Sequence, residues 1–187
     1  MGLDKARLPW RRGTLLGHVA TCAAEAADEV LVIGGDAPLP DDLPAGIRHL
    51  PDPDRIGPLG ALRLGLAAAT HPHALLLACD MPFLEPGAIR RLRQAAAATG
   101  AAVVVPRGPD GLHPLLALFA RTCLPHAAAA LAAGHRRPAA LFDRVHVHLL
   151  DTAADAPFWA RVLTNLNTPA EYEAARRADG GHSTPGS

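Results

Sequence analysis

The chain has 187 residues, of which 49% are hydrophobic and 19% are charged, which is enough for one domain with a sizeable core. Eighteen basic residues balance eighteen acidic ones, so the net charge excludes a general attraction to nucleic acid or to an anionic membrane. The three cysteines are isolated, and no apolar run reaches the length of about 18 residues that a membrane span needs. We therefore expect a cytoplasmic protein with a single domain over residues 1–178 and a flexible tail over 179–187.

Strands and helices are predicted to alternate along the chain. The polar segment 1–12 shows no sustained period and is expected to be a loop. Apolar spacing, proline at first helical turns and glycine at ends then predict the following elements: helix 14–27, strand 30–33, strand 47–50, helix 57–69, strand 75–79, helix 86–98, strand 101–106, a turn at 107–111, strand 115–119, an alanine-rich helix ending near 134, strand 145–149 and a closing helix that begins with the capping box 168–171. This order indicates a three-layer α/β domain with a mostly parallel sheet.

An acidic residue follows the most apolar of these strands. Five apolar residues, Leu75 to Cys79, come directly before Asp80, and Pro82 prevents the strand from continuing. This pattern predicts a buried parallel strand with Asp80 at its carboxyl end, which is where open α/β sheets bind ligands. A carboxylate there can hold Mg²⁺ on a phosphate-bearing substrate. The alternative is that Asp80 only turns the chain or caps the next helix.

Other polar residues are candidates for the same kind of site. Lys5 is the only lysine beside seventeen arginines, which suggests a required ammonium group, although an exposed lysine is commonly just solvated. Asp52 and Asp54 form a second acidic strand end. His146 and His148 share one strand face and could bind a metal, but without a third ligand nearby a solvated face is favoured.

Five segments, in this order and at similar separations, resemble the molybdenum cofactor guanylyltransferases. The resemblance covers residues 1–177. The segments are Met1-Gly2-Leu3-Asp4-Lys5, Gly57-Pro58-Leu59, Cys79-Asp80-Met81-Pro82, His113-Pro114-Leu115-Leu116-Ala117-Leu118-Phe119 and Asn165-Leu166-Asn167-Thr168-Pro169.

The resemblance implies a Rossmann-like nucleotidyltransferase fold and transfer of GMP from GTP to molybdenum-bound molybdopterin, with release of pyrophosphate. It assigns phosphate binding to Lys5, nucleotide binding to Asp52, and nucleotide and Mg²⁺ binding to Asp80. Asp54 rivals Asp52 because it lies close by. The resemblance also implies that three residues lie on the pterin side of the site: His113, Asn165 and Asn167. It further implies molybdoenzymes or cofactor-carrier proteins as partners.

Members of the family begin with a strand and a glycine-rich loop, whereas this chain starts at the Met-Gly that ends that loop. We therefore expect an N-terminally truncated form whose sheet lacks its first central strand, which would leave open edges on the strands at Val30 and Ala74. The sequence also leaves two alternative functions open. One is a cytidylyl or sugar-phosphate nucleotidylyltransferase of the same fold, and the other is an inactive remnant that acts as a binding module.

Overall fold

The computed structural model describes residues 4–35 and 37–180. The helices within these ranges are α1 (Leu15–Ala24), α2 (Pro58–Ala68), α3 (Pro86–Thr99), α4 (Leu124–Ala132), α5 (Ala156–Val162) and α6 (Pro169–Gly180). The strands are β1 (Pro9–Trp10), β2 (Gly13–Thr14), β3 (Leu31–Gly34), β4 (Arg48–Pro51), β5 (His73–Leu77), β6 (Val103–Gly108), β7 (Gly111–Leu112), β8 (Leu116–Ala120) and β9 (Val147–Asp151).

Local sequence signals account for where several helices begin and end. The Thr14 hydroxyl accepts a hydrogen bond from the Gly17 backbone N–H at 3.0 Å and caps α1. Pro58 and Pro86 occupy the first turns of α2 and α3, where a missing N–H costs nothing. Gly100 ends α3 with φ of 64°, a left-handed conformation that glycine adopts without strain.

The described strands form three sheets: β1–β2, β3–β4, and a mixed five-stranded sheet of β5, β8, β6, β7 and β9. β5 and β6 both run antiparallel to β8, whereas β9 pairs parallel with β6 and β4 pairs parallel with β3. The expectation of a mostly parallel sheet is therefore wrong around β8. The predicted buried parallel strand, β5, is half-buried and runs antiparallel to β8. The reason is the tight β6–β7 hairpin, in which Gly111 has φ of 123°, because it returns the chain alongside β6 before β8 begins.

Helices cover both faces of this sheet and create two cores, which confirms the three-layer α/β architecture. Val104, Leu116 and Leu118 point to a core that they share with α1, α3 and α5. Alternate residues of the same strands, Val103 and Phe119, point to the opposite core with α2 and α4. The alternation follows from the two-residue repeat of a strand that is buried on both sides.

β3 and β5 each have one edge without a strand partner among the described residues. β3 pairs only with β4, and β5 lies at the end of its sheet beside β8. Val30, just before β3, and Leu75 and Leu77 of β5 nevertheless pack on the same small cluster of helix residues. The sheets that contain β3 and β5 thus pack on common residues without pairing with each other, which matches the open edges expected from the sequence.

Three other features differ from the sequence expectations or lie beyond them. The expected loop over residues 1–12 contains a 3₁₀ turn at Lys5–Arg7 and the β1–β2 hairpin, while residues 1–3 lie outside the described residues. Helix α5 was not predicted. Helix α6 includes Asp179 and Gly180 of the expected tail, and residues 181–187 of that tail lie outside the described residues.

None of the described helices combines the length and apolar character required to cross a membrane.

Candidate active site

The centre of the candidate site is an ion pair between two residues far apart in sequence. Asp80 lies in the turn that follows β5, and Lys5 lies in the 3₁₀ turn at Lys5–Arg7, which Asp4 caps through the Ala6 N–H. The Lys5 Nζ is 2.8 Å from Asp80 Oδ2, and the two side chains are 28% and 17% exposed. Both groups therefore remain accessible to a ligand while they hold each other in place.

The turn 165–167 joins this pair. The Lys5 ammonium donates a second hydrogen bond to Asn167 Oδ1 at 3.2 Å. The backbone N–H of Leu166 donates to the carbonyl oxygen of Asp80 at 3.0 Å, while the Leu166 side chain is fully buried. Three of the segments that carried the family resemblance thus meet at one point, although up to 162 residues separate them.

A capping box orders the turn. The Glu171 carboxylate accepts hydrogen bonds from the backbone N–H groups of Asn167 and Thr168 at 2.6 and 2.9 Å, and the Thr168 hydroxyl accepts one from the Glu171 N–H at 3.2 Å. These two backbone donors lower the pKa of the Glu171 carboxyl. The predicted cap is confirmed, and it positions Asn167 beside Lys5.

We expect the substitution Glu171→Ala to lower the melting temperature at pH 7, because it leaves two N–H groups without their acceptor. Since the pKa of Glu171 is lower in the folded state, its stabilisation is complete above the pKa of the unfolded state and is lost as the pH falls through the folded pKa. Melting curves between pH 7 and pH 3 should therefore converge for parent and variant. Glu173→Ala on the same helix is the control, and an equal effect of both substitutions would contradict the role of the cap.

An open pocket adjoins the turn on the side of the β6–β7 hairpin. It has a volume of about 470 Å³ and is lined by residues that include Asp110, Asn165 and Asn167. His113 Nε2 lies 2.9 Å from Asp110 Oδ1, and this hydrogen bond lowers the pKa of the Asp110 carboxyl. The three residues given a pterin-side role therefore lie at or next to one cavity. We call it the acceptor pocket.

Asp52 and Asp54 lie apart from this arrangement. Asp52 directly follows β4, and its N–H donates to the carbonyl of Gly34 at the end of β3, at 2.5 Å. Within the described residues, neither carboxylate forms a hydrogen bond or ion pair with Lys5 or Asp80. The choice between Asp52 and Asp54 as the nucleotide-binding acid stays a prediction.

The described part of the chain contains no group of three or more His, Cys, Asp or Glu side chains that could hold a metal ion. His146 and His148 therefore have no third ligand of these types within that part. A divalent cation at Asp80 would instead take its remaining ligands from water and substrate phosphates, which is common for Mg²⁺. Asp80 fits such a cation site because it is partly exposed and because the ion pair with Lys5 occupies only its Oδ2.

Sequence reasoning missed Asp110 and Tyr172. Asp110 could have been found from its position three residues before His113 in a predicted turn. The Tyr172 hydroxyl donates to the Pro9 carbonyl at 2.5 Å and so ties α6 to the segment that carries Lys5. No local pattern indicates that contact, because its partners are 163 residues apart.

Comparison with known proteins places the chain in a family. The MobA-like NTP transferase domain matches residues 1–149. A molybdenum cofactor guanylyltransferase from Pseudomonas fluorescens is 31% identical over 169 residues, which represent 90% of this chain and 82% of the relative. The chain belongs to the MobA-like NTP transferase family. It is accordingly a nucleotidyltransferase.

Solved structures show that the MobA-like fold is shared more widely. Molybdopterin-guanine dinucleotide biosynthesis protein A from Archaeoglobus fulgidus superposes with a TM-score of 0.77 at 18% identity, over 96% of this chain and 92% of that one. The 2-C-methyl-D-erythritol 4-phosphate cytidylyltransferase from Thermus thermophilus gives 0.71 at 20% identity, over 94% of each chain. At these identities the likeness supports the fold of this MobA-like protein and leaves its substrate open.

Proposed function

We propose that this protein transfers GMP from GTP to the terminal phosphate of molybdenum-bound molybdopterin and releases pyrophosphate. The observation that carries the proposal is the convergence of Lys5, Asp80 and Asn167, one residue from each of three segments that resemble guanylyltransferases. A relative named molybdenum cofactor guanylyltransferase supports the same reaction. The product would be handed over in the cytoplasm to molybdoenzymes or cofactor-carrier proteins.

The chemistry requires alignment and charge neutralisation more than a covalent nucleophile. The attacking phosphate is already ionised at neutral pH, so we assign no general base. The Lys5 ammonium would exchange its contact with Asp80 for a phosphate oxygen of GTP. Asp80 would hold Mg²⁺, which, when bound, neutralises charge on the triphosphate.

The acceptor pocket would orient the pterin substrate. Its volume of about 470 Å³ lies within the usual range for small-molecule sites. The amides of Asn165 and Asn167 can both donate and accept hydrogen bonds, which suits the mixed donors and acceptors of a pterin ring. Asp110, held by His113, adds an ionised acceptor. On the nucleotide side, Asp52 is assigned to GTP by the family pattern.

A transfer assay with α-³²P-labelled nucleotide tests the proposal. The full chain would be incubated with Mg²⁺, molybdenum-loaded molybdopterin and either GTP or CTP, and the labelled dinucleotide cofactor would be separated and counted. We expect label from GTP in the dinucleotide. Preferential use of CTP would instead identify a cytidylyltransferase, the alternative of the same fold that the sequence leaves open. Transfer from neither nucleotide would indicate a binding module.

Lys5→Ala should weaken GTP binding or turnover by about 1.5–3 kcal/mol, as expected for loss of one charge-assisted contact. Lys5→Arg should retain only part of the parent's GTP binding or turnover, because a planar guanidinium cannot reproduce the geometry of a compact ammonium. Steady-state kinetics with GTP measure both effects. Arg144→Ala removes one exposed positive charge elsewhere and serves as the control. Parental kinetics in both Lys5 variants would mean that Lys5 is only a solvated surface residue.

A further inference from the structure

A second groove lies between the β1–β2 hairpin and helices α5 and α6. Its volume is about 730 Å³, within the range of small-molecule sites, and it shares no lining residue with the acceptor pocket. The groove is lined mainly by charged side chains and one indole, which are Trp10, Arg11, Arg12, Arg161, Arg176 and Asp179. We call it the arginine groove.

Two buried donors in this lining have no acceptor within residues 4–35 and 37–180. Trp10 is 2% exposed and held edge-to-face against Phe83, with ring centroids 5.7 Å apart. Its indole Nε1 is buried and forms no hydrogen bond with any described residue, and the same holds for Nε of Arg161. Native proteins rarely leave buried donors unpaired, so each such group calls for a water or a ligand that supplies the acceptor.

The groove also carries an excess of positive charge. Arg11 is paired with Asp179, because its Nε and Nη2 donate to the two carboxylate oxygens at 3.1 and 2.9 Å. Arg12 has no hydrogen bond or ion pair within the described residues, and Arg176 approaches Glu173 only at 3.9 Å. One lining carboxylate thus faces four guanidinium groups, and an anion would relieve their mutual repulsion.

The hairpin turn holds two of the arginines in a set geometry. Trp10 pairs with Gly13, so the turn consists of Arg11 and Arg12. Arg11 has φ of 51°, in the left-handed region that residues other than glycine rarely adopt. The two hydrogen bonds to Asp179 hold Arg11 in that conformation and tie the turn to α6. Arg12, the second residue of the turn, lines the groove.

We propose that the arginine groove binds a phosphate-type oxyanion at a site separate from the candidate active site. Guanidinium groups match the geometry of phosphate oxygens with pairs of N–H donors. Trp10 and Arg161, which carry the two unpartnered donors, both line the groove. Inorganic phosphate, pyrophosphate and the phosphates of a nucleotide all present this chemistry. The inference does not depend on guanylyl transfer.

Calorimetric titration of the full chain with pyrophosphate, phosphate and GTP tests this site. The titrations omit Mg²⁺ and keep the ionic strength constant with sodium chloride, so that general screening does not change. The double variant Arg12→Gln/Arg176→Gln removes two exposed charges from the groove, whereas the control Arg90→Gln/Arg144→Gln removes two exposed charges elsewhere. We expect at least about tenfold weaker binding in the groove variant and less than twofold change in the control.

Two further variants separate the groove from the active site and from folding defects. Lys5→Ala should retain the component of phosphate and pyrophosphate binding that the groove variant loses. Trp10→Phe, which keeps an aromatic ring but removes the N–H, should weaken that component while the thermal melt stays cooperative. Binding of pyrophosphate or phosphate that the groove variant loses would identify a free anion as the ligand. Binding of GTP alone, lost in the groove variant and retained in Lys5→Ala, would identify a nucleotide phosphate. Absence of saturable binding in the parent, or equal loss in groove and control variants, would overturn the proposal.

Discussion

Asp80→Asn is expected to abolish Mg²⁺-dependent guanylyl transfer while the fold stays nearly intact. The substitution removes a negative charge at the end of β5 and changes almost no volume. Loss of a metal ligand and of its charge compensation costs several kcal/mol in the transition state, which corresponds to at least about a hundredfold in rate. Single-turnover transfer from labelled GTP measures the effect.

The control for this prediction is Asp143→Asn, which removes an equal charge from an exposed position outside the candidate site. Thermal melts should show that both variants fold like the parent, because Asp80 is partly exposed and the backbone contact of its carbonyl to Leu166 does not involve the carboxylate. Transfer by Asp80→Asn within threefold of the parent would remove Asp80 from the site.

The largest loss of stability near the site is expected for Leu166→Ala. The Leu166 side chain is fully buried in the cluster formed by Trp10, Leu15, Phe83 and Tyr172. Its truncation should lower the free energy of unfolding by about 2–5 kcal/mol, since it removes apolar contacts and leaves a cavity. At about 2–4 °C per kcal/mol for a chain of this size, the melting temperature should fall by several degrees or more.

The same substitution should also reduce transfer, because Leu166 anchors the turn that presents Asn165 and Asn167 and bonds to the Asp80 carbonyl. Leu112→Ala is the matched control: Leu112 is 41% exposed, and its truncation should change stability by less than about 0.5 kcal/mol. Differential scanning calorimetry compares the two. Equal melting temperatures for Leu166→Ala and Leu112→Ala would mean that the turn is not anchored by this side chain.

Much of the fold was predictable because its signals are local. Apolar periodicity located the main strands and helices. Proline, glycine and the capping residues Thr14 and Thr168 marked the ends of the helices. Strand direction was harder to predict. The expectation of a mostly parallel sheet came from the general alternation of strands and helices, which does not specify which strands pair. The predicted turn at 107–111 already indicated antiparallel neighbours, because so short a connection cannot join parallel strands. The structure has a two-residue loop there, between Gly108 and Gly111.

Other elements left too weak a signal to predict. Helix α5 has only seven residues, and each strand of the β1–β2 hairpin has two, too few to establish a period. The hairpin is held instead by tertiary contacts, above all the burial of Trp10 and the bond from Tyr172 to Pro9. Such contacts between the two ends of the chain cannot be inferred from spacing.

The candidate site was predictable in its members but not in their arrangement. The resemblance named Lys5, Asp80 and Asn167, while the direct Lys5 contacts to both partners emerge only from the fold. Asp110 escaped notice because an acidic residue in a turn is ordinary, and only its bond to His113 marks it. Asp52 and Asp54 stay unresolved, since neither carboxylate contacts the Lys5–Asp80 pair within the described residues.

The central claim is that the Lys5–Asp80 pair forms the phosphate site for Mg²⁺ and GTP. Isothermal titration of the parent and of Asp80→Asn with GTP and with CTP, each with and without Mg²⁺, tests it most directly. We predict that the parent prefers GTP and binds it more tightly with Mg²⁺, and that Asp80→Asn loses this Mg²⁺ dependence. Tighter binding of CTP, or the same Mg²⁺ dependence in parent and variant, would contradict the claim.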